Sequence, residues 1–346
     1  MKRILIIEPN WLGDILFTTP SIYAIKKARP DSYITCLAMP RCTPLLEQNP
    51  DIDEIITFDQ FEERKSIRNF IGRIELISFL KQKKFNTAFL FHRSMSRAVL
   101  CLFAGIPERI GYATKKRFVF LTHKVPQPKK TIHRVDHYLN IIKYAGIEAD
   151  TKDYQLTLTS SEKEDARSIL KNNGLFADEE YFVINPGGNW LPKRWPKKYF
   201  SELISAISKR YNIKVVVTGS GKDIDLGSEI IKLSGVDAVN LCGKTSLREL
   251  AAVLAQAKAV VANDSGPMHI AVSQKTPTVA IFGPTDPNIT GPYGRAPYVV
   301  LKKDVGCAIP CYDQACTDYK CMEAVAVDDV MTAIDKLLNI KCSDRI

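Results

Sequence analysis

Short apolar, β-branched runs recur along this chain, each followed by a stretch with helical spacing, and that alternation narrows the possible folds more than any other feature. In the first half the runs lie at 3–8 (RILIIE), 33–38 (YITCLA), 54–58 (EIITF), 86–91 (NTAFLF) and 108–112. In the second half they lie at 181–186 (YFVINP), 213–219 (IKVVVTG), 238–242 (AVNLC), 259–263 (AVVAN) and 277–283 (PTVAIFG). Continuous apolar runs mark strands buried on both faces, and strands alternating with helices mark parallel sheets with crossover connections. The polar stretch 157–165 (TLTSSEKED) parts the two sets and ends in a helix-start pattern. The expectation is an α/β protein with two Rossmann-like domains, residues 1–160 and 161–324. A last amphipathic helix over 325–346 carries Val327, Val330, Ile334, Leu337 and Leu338 at helical spacing and is expected to pack back on the first domain.

In an open parallel sheet, ligands meet the loops at the carboxyl ends of the strands. The first such loop reads EPNWLGDILFTTP. Dinucleotide binders place G-x-G-x-x-G here so that backbone can close on a pyrophosphate. This loop has one glycine, Gly13, and then an acid. An aspartate would repel a phosphate, so Asp14 needs another role; the structural alternative is that it caps a helix over 15–28. The missing glycines also weigh against a nicotinamide oxidoreductase.

Phosphate chemistry suits the second half better. After YFVINP comes GGNWLPKRWPKKYFSELISAI, where Pro196 fits a helix N1 position and Phe200, Leu203, Ile204 and Ile207 mark a buried stripe. Lys193 then lies in the ligand-side loop, where its ammonium can meet a diphosphate or remain a solvated cation. In VVANDSGPMHIAVS, Asp264 or Ser265 can cap a helix whose free N–H groups would face an anion. His269, one turn further on, suits either a packed or a functional role. VVVTGSGKDIDLG lacks the spacing of a P-loop and reads as a turn that places Lys222 or Asp223 near a ribose.

The chain of 346 residues carries a net charge of +10, and the excess is one-sided. Residues 1–160 hold 25 Lys and Arg against 16 Asp and Glu, whereas the remainder holds 23 against 22. A basic half suits a polyanion or an anionic membrane face. Arg93, Arg97, Arg109, Lys115, Lys116, Arg117, Lys124, Lys129, Lys130 and Arg134 are the cations available to such a partner. A nucleic-acid module would interleave aromatics with these cations. Tyr112, Phe118 and Phe120 fall in the region, but the last two sit in an apolar run that reads as buried, so no nucleic-acid partner is expected. Without an eighteen-residue apolar run or a signal-peptide pattern, the protein is expected to be cytoplasmic. Cys307, Cys311, Cys316 and Cys321 form a late cluster with spacings wider than C-x-x-C, open to packing thiols, a metal or iron–sulfur site, or disulfides.

Taken in order, PNWLGDILFTTPSIYAIKKARPDSYI, FAGIPERIGY, NPGGNWLPKRWPKKYFSEL, TGSGKDIDLGSEI and NDSGPMHIAVSQKTPTVAIFGPTDP resemble glycosyltransferase family 9, the bacterial ADP-heptose:lipopolysaccharide heptosyltransferases, and within it the heptosyltransferase II branch. The resemblance implies a GT-B fold, two facing Rossmann-like domains with parallel sheets. It also implies metal-independent, inverting transfer of L-glycero-D-manno-heptose from ADP-heptose to a heptose of the lipopolysaccharide inner core, with no cofactor. The family's base falls on Asp14, with Asn10 and Gly13 beside it, and its phosphate lysine falls on Lys193. Its nucleotide-binding D-[ST]-G falls on Asp264, Ser265 and Gly266, and its nucleotide pocket would also use Gly187, Gly188, Asn189 and the region from Gly243 to Thr245. Asp223 and His269 join them as candidates from the reading of their own loops. The inner-core acceptor is anionic, which matches the basic first half and brings the protein to the periphery of the inner membrane. An alternative within the same fold uses another nucleotide sugar or another acceptor.

Overall fold

The structure, a computed structural model, describes residues 1–57, 67–114, 116–176, 179–313 and 315–343. Phe58 of the run 54–58 and the candidate cation Lys115 lie outside the described residues. The chain forms two compact units, Met1–Thr157 and Leu158–Ile346.

In the first unit the order is β1 (Arg3–Ile7), α1 (Leu12–Ala28), β2 (Tyr33–Ala38), β3 (Glu54–Thr57), α2 (Ile67–Gln82), β4 (Thr87–Leu90), α3 (Met95–Phe103), β5 (Glu108–Tyr112), β6 (His123–Val125) and α4 (Arg134–Tyr144). All strands are parallel, in the order β3-β2-β1-β4-β5-β6. β1 pairs Ile4 with Ile34 on one side and with Thr87 on the other, so Ile4 to Ile7 are fully buried. This centre accounts for the apolar run at the start of the sequence. Helix α1 carries Pro20 in its interior, which removes the N–H that the Leu16 carbonyl would otherwise receive. The Thr19 hydroxyl donates to that carbonyl instead, at 2.7 Å, and the helix continues.

The second unit runs α5 (Ser160–Asn172), β7 (Tyr181–Asn185), α6 (Lys197–Tyr211), β8 (Lys214–Val217), α7 (Ile224–Ser234), β9 (Val239–Asn240), α8 (Leu247–Gln256), β10 (Ala259–Asn263), α9 (Gly266–Ser273), β11 (Thr278–Ile281), α10 (Pro287–Thr290), β12 (Tyr298–Leu301), α11 (Lys320–Glu323) and α12 (Val327–Ser343). Its parallel sheet reads β9-β8-β7-β10-β11-β12 from the far edge, the same order as the first when counted within the unit. Each sheet therefore has a switch point beside its first strand, where connections leave in opposite directions and a crevice opens. Local signals agree with this unit. Thr159 with Glu162 and Ser246 with Glu249 form capping boxes that start α5 and α8. Asn212, in the left-handed region at φ 51°, ends α6.

Several elements differ from the sequence reading. Pro196 is the N-cap of α6 rather than N1, while Phe200, Leu203, Ile204 and Ile207 are buried as the stripe requires. The run 238–242 shortens to the edge strand β9, and β6 and β12 were not read from the sequence. The apolar stripe of the last helix is occupied within the second unit. Val330, Ile334 and Leu337 join the core of Trp195, Phe200 and Met322, and α12 packs on α6, β11 and β12. The Trp195 indole N–H donates to the Val325 carbonyl at 2.9 Å, which fixes the start of this helix.

Candidate active site

In the first unit, α1 begins at Leu12, three residues earlier than the pattern suggested. Asp14 thus lies inside its first turn, where the helix dipole favours a negative charge, and the N-cap position belongs to Trp11, which makes no side-chain cap bond. Asp14 is not the cap. Its Oδ1 accepts from the Tyr138 hydroxyl at 3.2 Å, because α4 packs along α1. Burial, then the charge of Asp14, pushes the Tyr138 hydroxyl well above its ordinary range, so it stays a donor. The Asn10 carbonyl accepts from Arg41 at 2.8 Å, and the Arg41 guanidinium lies 4.8 Å from the centre of the exposed Trp11 ring. Gly13 is half-buried beside Asp14.

At the start of this loop, directly after β1, Glu8 is buried to 1% exposure. Its carboxyl accepts from the Thr18 hydroxyl at 2.8 Å and lies beside the Cys36 thiol. Burial lifts Glu8 to about 8, so it holds its proton at neutral pH and adds no charge to the corner where Asp14 sits.

In the second unit the switch point lies between β7 and β10, and the Asn263 side chain stitches its two loops together. Asn263 Nδ2 donates to the carbonyls of Pro186 (2.9 Å) and Gly187 (3.2 Å), while its Oδ1 accepts from the Trp195 N–H at 3.1 Å. Lys193, in the 3-10 turn Leu191–Lys193, meets Asp264 at 2.6 Å, and the Thr285 hydroxyl donates to the same Asp264 oxygen at 2.6 Å. Asp264 is nearly buried and does not cap α9. Ser265 occupies the N-cap position with an extended backbone, but its side chain makes no cap bond and its buried Oγ has no partner among the described residues. The N–H groups of the first turn of α9 are therefore not covered by a side-chain cap, a configuration suited to an anion. Gly266 opens this helix, and His269 is buried one turn along it.

Asp223 joins the same cluster from the loop after β8. Its Oδ2 accepts from the backbone N–H of Ser220 (3.0 Å) and from the Ser220 hydroxyl (2.6 Å), and Arg194 reaches its Oδ1 at 3.5 Å. Arg194 also donates to the Gly188 carbonyl at 2.8 Å. Gly187 lets the backbone lie close to Asp223, since a Cβ on it would lie 2.9 Å from Asp223 Oδ2 and push that carboxylate aside. Gly243, at φ +72°, donates its N–H to Gly219 at 2.9 Å and so holds the loop bearing Thr245 against the loop bearing Asp223. Asn189 is exposed at the rim, and the neighbouring Trp190 ring stacks on Tyr312 with centroids 6.5 Å apart. The Lys193 ammonium lies 5.6 Å from the same Trp190 ring.

The cysteine-rich segment thus reaches the rim of this cluster, where the Cys311 N–H also donates to Pro284, next to Thr285, at 2.7 Å. Cys307 is exposed, Cys311 and Cys316 are half-buried and Cys321 is buried, all as free thiols. Among the described residues, no group of three or more His, Cys, Asp or Glu is placed to hold a metal ion.

Several candidate cations are not available to a partner. Arg97 and Arg117 are buried, and Arg117 donates to the carbonyls of Tyr112 and His92. Arg109 donates to the carbonyls of Phe120 and Ile106. Arg93, Lys116, Lys124, Lys129 and Lys130 are exposed, and Arg134 is half-buried. The run around Phe118 was expected to be buried and is not: Phe118 is 45% exposed and Val119 61%, because the 3-10 turn Phe118–Phe120 turns only part of Phe120 towards the core.

Sequence reasoning missed Tyr138, Glu8 and Thr285. Thr285 had a usable signal, since it follows a buried strand in FGPTDP. Tyr138 had none, because its bond to Asp14 spans 124 residues and depends on how α1 and α4 pack.

The profile of Glycosyltransferase family 9 (heptosyltransferase) matches residues 73–321. This chain belongs to glycosyltransferase family 9. Within the family it is 30% identical to lipopolysaccharide heptosyltransferase 2 of Escherichia coli K12 over 313 residues, covering 86% of this chain and 87% of that protein. The structure of E. coli ADP-heptose lps heptosyltransferase II superposes with a TM-score of 0.80 at 27% identity, covering 99% of both chains. A family 9 glycosyltransferase from Veillonella parvula superposes with a TM-score of 0.85 at 26% identity, covering 97% of each. The family 9 chain is accordingly a glycosyltransferase with the GT-B fold.

Proposed function

We propose that this family 9 enzyme moves L-glycero-D-manno-heptose from ADP-heptose to a heptose of the lipopolysaccharide inner core, with inversion and without a metal. The observation that carries the donor half is the uncapped start of α9 beside Lys193 and Asp264. Lys193, held in place by Asp264, and the N–H groups of α9 receive the diphosphate, while Asp223 and the Thr245 loop face the nucleoside. Gly187, Gly188 and Asn189 line the approach, and Ser265, Gly266 and His269 complete the wall. Asp14 takes the proton of the acceptor hydroxyl as its oxygen bonds to the anomeric carbon. The bond from that carbon to the phosphate oxygen breaks, its electron pair leaves on ADP, and the cationic cradle stabilises the departing charge. The same reading makes the protein a cytoplasmic enzyme in peripheral contact with the anionic membrane face that displays its lipid-linked acceptor.

The test is heptose transfer to truncated lipopolysaccharides by wild type and Asp14→Asn, with donor binding followed by calorimetry. Turnover is expected to fall by at least about a hundredfold, with donor affinity unchanged. Loss of donor binding in Asp14→Asn would make Asp14 a nucleotide ligand instead. Tighter binding of UDP or GDP than of ADP would overturn the choice of donor.

A further inference from the structure

The turn Phe118–Phe120 belongs to a surface apart from the residues assigned above to donor binding and proton transfer. Leu102 and Phe103, at the end of α3, are 38% and 64% exposed, and Phe118 and Val119 are 45% and 61% exposed. The two pairs stand on segments fastened to each other. Arg109 donates to the Phe120 carbonyl on one side and to the Ile106 carbonyl just beyond α3 on the other. Beneath them, Phe120 and Leu121 pack with Ala98, Cys101 and Ala104, so the exposed side chains are displayed by a fixed support. Exposed apolar side chains gathered in this way mark an interaction surface.

The charge around them selects the kind of partner. Between Glu75 and Asp136 the sequence carries thirteen Lys and Arg and a single acid, Glu108, which accepts from the Thr87 hydroxyl. Lys124 lies 5.4 Å from the centre of the Phe118 ring, and Lys116, Arg93, Lys129 and Lys130 are exposed in the same stretch. Apolar groups that can enter an acyl boundary, with a lysine beside them and further exposed cations in a stretch of sequence that holds a single acid, form the two-part signal of a peripheral membrane anchor. An aliphatic Val and Leu beside the two Phe rings favour a lipid surface over stacked bases, which need flat aromatic faces.

We propose that the face formed by the end of α3 and the turn Phe118–Phe120 docks on an anionic lipid bilayer. Leu102, Phe103, Phe118 and Val119 enter the interface, and Lys116 and Lys124 meet the headgroup phosphates. The proposal names the surface behind the peripheral contact inferred above, and that reading alone gives the contact its use. Vesicles without any sugar acceptor test it separately from heptose transfer.

The experiment is co-sedimentation of the full chain with vesicles of phosphatidylcholine alone or mixed with phosphatidylglycerol, at low and high salt. Wild type is expected to bind the mixed vesicles and to be released by salt. Phe118→Ser with Val119→Ser should weaken binding by about tenfold or more, and Lys116→Glu with Lys124→Glu should abolish the preference for phosphatidylglycerol. Both doubly substituted proteins should keep the wild-type melting temperature, and the Ser variant should keep its turnover on a soluble, delipidated acceptor. Failure of wild type to bind the mixed vesicles, or equal binding by the Ser variant, would overturn the proposal. So would a single-stranded oligonucleotide that displaces wild type from vesicles and loses affinity in the same variants.

Discussion

Replacing Glu8 by Gln should stabilise the first unit, by an amount that depends on pH. In the fold the Glu8 carboxyl keeps its proton up to about pH 8, whereas a free glutamate releases it near 4.5. Below 4.5 both states are protonated and the group favours neither. As the pH rises the unfolded chain ionises while the folded one cannot, and stability falls by about 1.4 kcal/mol per unit until the folded carboxyl also ionises. At pH 7 the accumulated cost is about 3 kcal/mol as an upper figure. Glutamine has nearly the same shape and still accepts from Thr18, but it has no proton to lose. The Glu8→Gln protein should therefore match wild type near pH 4.5 and exceed it by up to about 3 kcal/mol at pH 7. Hydrogen exchange of the β1 amides, read by mass spectrometry and corrected for the intrinsic exchange rate, reports this opening within the first unit, whatever the second unit does. A gap that stays constant with pH, or a wild type more stable than the variant at pH 7, would refute the assignment of a buried, protonated Glu8.

Other substitutions test the two clusters. Tyr138→Phe removes the donor to Asp14, so kcat should fall about fivefold to tenfold and the acidic limb of the kcat/KM profile should move to higher pH, with donor binding unchanged. An unchanged pH profile would leave Tyr138 a packing residue. Gly187→Ala places a methyl group against Asp223, and ADP affinity measured by calorimetry should drop about tenfold or more; wild-type affinity would show that Asp223 can move aside.

Much of the scaffold is visible in the sequence, and the reasons are local. Ile4 to Ile7 read as a central strand because continuous burial leaves no polar alternation, and the Thr159–Glu162 and Ser246–Glu249 pairs announce their helices through contacts three residues apart. Loops after such strands are ligand loops by topology, which is why Asp14, Lys193 and Asp264 could be singled out. The edge strand β6 escaped notice because it is three residues long and buries only Val125, whereas β12 carries the apolar run Tyr298–Leu301 and was legible in the sequence although its half-buried strand was not read.

What the sequence determined by itself, then, is the order of buried strands and helices and the loops in which chemistry must lie, because periodicity and capping act over a few residues. The tertiary structure alone decided that Tyr138 meets Asp14, that Thr285 and Lys193 share one oxygen of Asp264, and that Asn263 closes the switch point. It also decided that Glu8 is dry while Phe118 and Val119 are wet. Each of these depends on which element comes to cover a given side chain, and that is set by the packing of segments tens of residues apart, beyond the reach of any local pattern.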